Sequence, residues 1–178
     1  MLFRSAVGNS LEVIEAIETL KGNERGEFYD LCIELSANML SLTGRGSIEE
    51  CRKIAEEAVK SGRALAKFRE MVEAQGGNSD VTEDYLLFKQ AECARDVIAD
   101  KDGIIGDVNC EEIGRVSLLL GAGREVKDAP IDHSAGIYFH KLCGETVGRG
   151  EVIATLYTDK SGDIDAIEKR FRLAYPIL

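Results

Sequence analysis

The pattern of apolar residues changes near Glu92, and that change limits the chain to a two-part α+β architecture. Before it, apolar side chains recur three or four positions apart, as one face of a helix requires. Leu11, Ile14, Ile17 and Leu20 form the first such run. Asn9 is read as its cap, Glu12 as the partner completing a capping box, and Lys21-Gly22 as its stop. A second helix is predicted over residues 27–42, broken by Gly44-Arg45-Gly46. Ser47-Ile48-Glu49-Glu50 is another capping box, opening a helix through Ile54, Ala58 and Val59 to Ser61-Gly62. A fourth amphipathic segment carries Leu65, Phe68, Met71 and Val72 up to Gly76-Gly77.

After Glu92 the apolar runs shorten, glycines multiply and β-branched residues appear. Asp102-Gly103 reads as a hairpin-type turn between two of these runs. GETV and GEVI, at 144–147 and 150–153, read as two short strands joined by a glycine turn. Short helices are expected over 111–120 and 163–173, the latter on Ile164, Ile167 and Phe171. A boundary at 90–100 then separates a helical part from a small α+β part.

Net charge is −10, from 32 acidic and 22 basic residues, with no clustered stripe of Lys and Arg. That disfavours nucleic acid as a partner, because a phosphate backbone is held by such clusters. No run approaches the roughly 18 apolar residues of a membrane span, and the N-terminus carries no signal-like segment. Five widely spaced cysteines, none in a CxxC pair, are expected to be buried free thiols in a reducing cytoplasm.

Several stretches offer chemistry. LGAGR, 120–124, could bring backbone N–H groups and Arg124 to an anion. It lacks the third glycine of a dinucleotide fingerprint, and a tight turn ending a helix is the simpler reading. Asp132-His133-Ser134 holds three triad residue types, but adjacent side chains point in different directions. Both His133 and His140 are therefore taken as surface or strand residues. Lys160 follows a strand, as the modified lysine of a lipoyl or biotinyl carrier does. A carrier would need a returning strand, whereas residues 161–168 read as an acidic helix start, which makes Lys160 a loop residue.

Four segments carry a resemblance: AVGNSLEVIEAIETLKG (6–22), MVEAQGGNSDV (71–81), DGIIGDVNCEEIGRVSLLLGAGREVKDAPID (102–132) and GETVGRGEVIATLYTD (144–159). In order and spacing the chain resembles the pyrimidine-nucleoside phosphorylase and thymidine phosphorylase family. The resemblance implies that residues 1–95 are the later, mainly helical part of a central α/β domain. It implies a hammerhead-like C-terminal domain over 96–178.

It further implies phosphorolysis of a pyrimidine nucleoside by a cytoplasmic homodimer, giving free base and a (deoxy)ribose 1-phosphate. The phosphate-binding and base-binding motifs of the family do not occur here, so no catalytic or substrate-binding residue is assigned. These 178 residues are expected to be a C-terminal fragment, silent alone, with MLFRS read as a truncation or cloning junction. A carrier or binding module built on the hammerhead is the alternative. The resemblance also implies a potassium site, with the Ala6 carbonyl and the Glu15 carboxylate as ligands and the Phe3 carbonyl where a leucine contributes another. Oxygen ligands suit such a hard cation. Its remaining ligands would lie in the phosphate loop, so no tight site is expected here.

Overall fold

The computed structural model describes residues 5–124 and 126–178. They pack as two compact units, one formed by Ile14–Leu87 and the other by residues 5–13 together with Phe88–Leu178.

The first unit is helical. It holds the later turns of α1 (Asn9–Lys21), then α2 (Glu27–Leu42), α3 (Ile48–Lys60) and α4 (Arg63–Ala74). The capping box of α3 forms as expected: the Ser47 hydroxyl accepts from the Glu50 N–H, and the Glu50 carboxylate accepts from the Ser47 N–H at 2.9 Å. The start of α1 differs from the expected box. Asn9 is already helical, and Glu12 instead accepts from the N–H of Gly8, one residue earlier, at 3.0 Å. Ile17, Ile33, Ala37, Cys51 and Ala55 make the small buried core of this unit, while α4 buries none of its residues. Between α1, α2 and α3 lies an apolar groove of about 610 Å³ lined by residues such as Leu20, Phe28, Ile33 and Ala58.

The second unit is built on a four-stranded antiparallel sheet, and all its strands are short. In spatial order these are β1 (Ala6–Gly8), β4 (Gly136–Phe139), β6 (Val152–Thr158) and β2 (Cys93–Ile98). The central strand β6 buries Ile153, Ala154, Thr155 and Leu156 in succession, so both of its faces are covered. That is why VIATL reads as a continuous apolar run rather than an alternating one. Ile137, Phe139, Val97 and Leu156 pack with Ile113 and Val116 of α5 (Cys110–Ser117) and Ile164, Ile167 and Phe171 of α6 (Ile164–Ala174). Phe139, Phe171 and Tyr175 form a ring cluster with centroids 5.2–5.9 Å apart.

Two strand pairings differ from expectation. β3 (Gly103–Ile104) pairs with β5 (Thr146–Val147) in a separate small sheet, and β2 pairs with β6. Asp102-Gly103 is thus no hairpin turn, and GETV and GEVI are not partners. Asp102 instead accepts a hydrogen bond from the Arg149 N–H at 2.7 Å, which holds the glycine turn between β5 and β6. A Cβ on Gly103 would lie 2.2 Å from the Leu178 carbonyl, so this glycine serves close packing of the C-terminus. Close approach also rules where β1 meets β4. Gly8 and Gly136 are register partners, and a Cβ on Gly136 would stand 2.6 Å from the Val7 carbonyl.

Candidate functional site

Ala6 lies on β1, an edge of the sheet, opposite Tyr138. The Ser5 carbonyl accepts from the Phe139 N–H at 2.7 Å, and Ser5 and Phe139 precede and follow that pair. Hydrogen-bonded and non-bonded pairs alternate in an antiparallel ladder, so the N–H and C=O of Ala6 turn to the side of β1 away from β4. Its carbonyl is therefore not spent on β4. Glu15, in the helical unit, is 5% exposed. Phe3 lies outside the described residues. Among the described residues no group of three or more His, Cys, Asp or Glu side chains is placed to hold a metal.

The tempting loop motifs are engaged in structure. α5 runs into a widened turn, Leu118–Ala122, that closes at Gly121 with φ of 112°, a conformation L side chains rarely adopt. LGAGR is thus the helix-ending turn the sequence suggested. Asn9 donates its side-chain amide to the carbonyls of Ala122 at 3.0 Å and Asp132 at 3.3 Å, which ties β1 to this loop. Asp132 accepts from the N–H and hydroxyl of Ser134 and from Lys89, which also pairs with Asp159. Burial pushes the Asp132 carboxyl up, but those hydrogen bonds outweigh it and hold the group below the usual carboxylate range. His133 is exposed and gives only its carbonyl to the network, to Ser10. Asp132, His133 and Ser134 form a turn, with no triad geometry.

Lys160 is exposed, and its N–H donates to the Thr158 hydroxyl at 2.9 Å. The next long element is α6, with no returning strand, so the hairpin that presents a carrier lysine is not formed. The cysteines are all free, as expected, yet only Cys51 is buried and Cys143 is exposed. Cys93 and Cys110 open a strand and a helix, where a thiol is covered incompletely, and Cys32, inside α2, is half-buried.

One constellation escaped the sequence. Tyr138, Thr155 and Asp96 are direct cross-strand neighbours on β4, β6 and β2. The Thr155 hydroxyl donates to Asp96 Oδ1 at 2.7 Å and stands 2.8 Å from His140 Nε2. His140 is exposed, its ring set edge-on to Tyr138 with centroids 5.1 Å apart. The only local signal is a threonine inside an apolar strand.

Comparison with known proteins places these elements. Residues 104–178 match the family described as the pyrimidine nucleoside phosphorylase C-terminal domain. Over 165 residues, 92% of its length, the chain is 38% identical to the pyrimidine-nucleoside phosphorylase of Bacillus subtilis. It is 36% identical over 93% of its length to that of Geobacillus stearothermophilus, and 36% over 92% to that of Staphylococcus haemolyticus. Residues 104–178 thus carry a pyrimidine nucleoside phosphorylase C-terminal domain. The chain spans 38–39% of the length of these relatives. Within this family's C-terminal domain fall α5, LGAGR, β4, β6, α6 and His140. β1 and β2 complete the sheet from outside the matched residues, and β2 brings Asp96 with it. No helix among the described residues is long and apolar enough to cross a membrane.

Proposed function

We propose that this chain is the C-terminal portion of a cytoplasmic, homodimeric pyrimidine-nucleoside phosphorylase. In the proposed reaction phosphate attacks the anomeric carbon of thymidine or uridine, releasing the base and forming a (deoxy)ribose 1-phosphate. The supporting observation is collinear identity of 36–38% over 92–93% of the chain to proteins bearing that name. The described residues contribute scaffold to that reaction: a closed sheet-and-helix unit and a helical layer. Phosphate and base contacts belong to the part of the relatives that this chain does not span. Incubating the purified chain with phosphate and thymidine or uridine is expected to release no base above background. Release would overturn the assignment of the chemistry to the unspanned part.

The same reading includes a potassium ion, with the Ala6 carbonyl and the Glu15 carboxylate as two of its oxygen ligands. Such a cation would lend positive charge near bound phosphate. The support is separate for each residue: a carbonyl unused by β4, and a carboxylate held at 5% exposure. Thermal melts in potassium and choline chloride at equal ionic strength test it. A potassium-specific rise that Glu15→Gln removes supports the assignment, and a rise that survives the substitution removes Glu15 from it.

A further inference from the structure

The hydrogen-bond chain on the outer face of the four-stranded sheet has a direction. A threonine hydroxyl carries one proton, and that of Thr155 is directed to Asp96 Oδ1. The contact between Thr155 Oγ1 and His140 Nε2, 2.8 Å, still requires a proton between its two atoms. That proton can only be on Nε2, so the imidazole donates and the hydroxyl accepts. In the neutral ring Nδ1 is then left with its lone pair.

We infer that Asp96 and Thr155 act as positioning residues that hold His140 as the Nε2–H tautomer, making its Nδ1 a fixed proton-accepting site on the outer sheet face. The class of ligand it takes is a weakly acidic O–H or N–H group, received by Nδ1. Geometry supports the assignment beyond the hydrogen bonds themselves. Thr155 is 5% exposed and sits on the central strand, with Tyr138 and Asp96 as its register partners, so its hydroxyl has little freedom to turn. The Tyr138 ring packs against the imidazole and limits its rotation. A carboxylate that fixes a tautomer through the far ring nitrogen is a general device for orienting histidine as base or ligand. Here a hydroxyl stands between the two groups. None of this depends on the phosphorylase reading.

The chain contains only two histidines, and His133 is exposed and serves as an internal reference. Long-range nitrogen–proton NMR correlation on the uniformly labelled chain, at a pH where both rings are neutral, reads each tautomer directly. His140 is expected in the Nε2–H form alone, and His133 as a mixture. Asp96→Ala, an exposed position that leaves the core untouched, is expected to abolish the preference at His140 and leave His133 unchanged. Thr155→Ser should keep the preference and Thr155→Val should lose it. A mixed or Nδ1–H pattern for His140 in the parent protein overturns the inference. So does a preference that persists in Asp96→Ala, since the carboxylate would then have no part in it.

Discussion

The helical unit and the sheet unit solve burial differently. In the sheet unit, one contiguous apolar cluster runs from Val97 through Leu156 to Tyr175, and strand β6 is covered on both faces. In the helical unit only a few small or medium side chains are buried, α4 buries none, and Met39 and Leu42 of α2 stand 62% and 88% exposed. The helices of the first unit are specified by local signals such as caps and periodicity. The second unit is specified by contacts between residues far apart in the chain. Helices can form before their apolar faces are filled, because every backbone bond is internal. A sheet cannot, because each strand leaves donors and acceptors unsatisfied until its neighbour arrives.

This contrast can be broken by mutation. Leu156→Ala, at a fully buried position of β6, is expected to destabilise the sheet unit by about 2–5 kcal/mol, while Met39→Ala stays within about 0.5 kcal/mol. Urea unfolding followed by circular dichroism measures both, and equal losses would dissolve the distinction. Gly136→Ala follows in size, about 1–3 kcal/mol, because its Cβ would meet the Val7 carbonyl at 2.6 Å and force β1 from β4. Ser47→Ala should cost about 1 kcal/mol and act on the helical unit through α3 alone, detectable by hydrogen exchange of its first turn.

The smallest expected effect is that of acid. Asp132 is held below its ordinary range in the folded state, so its contribution is present above the unfolded value, near 4, and is lost as pH falls through the folded one. Glu112, lowered chiefly by the Arg170 hydrogen bond, and Glu151, lowered chiefly by the Gly148 N–H, act in the same sense. Unfolding midpoints of the sheet unit should therefore fall between pH 4 and more acid values, given that reference near 4. Lys89→Met should flatten the fall.

Much of the fold was legible because its signals are local. Ser47 and Glu50 sit three residues apart whatever the rest of the chain does, and so their box formed as read. Helix α6 was legible from Ile164, Ile167 and Phe171 at helical spacing. Strands were visible as runs, but their partners were not. Asp102-Gly103 carries a hairpin signature, yet β2 gains more by pairing along six residues with the buried β6 than by folding back on the two-residue β3. Asn9 looked like a helix cap, while its side chain serves two carbonyls more than 110 residues away. The His140, Thr155 and Asp96 chain needs three strands in one register before it exists at all. Ala6 and Glu15, in contrast, were named by family resemblance, since neither stands out in composition or spacing.

Strand β1 has a consequence for the order of assembly. Its partner β4 lies about 130 residues later in the chain, so β1 is made well before its neighbour. At roughly 5–20 residues per second, translation leaves this strand without its neighbour for on the order of ten seconds. The short span of β1 and its closing glycine make it a poor template for other strands during that interval. Strand β1 is in this way made well ahead of the neighbour that gives it a place in the sheet.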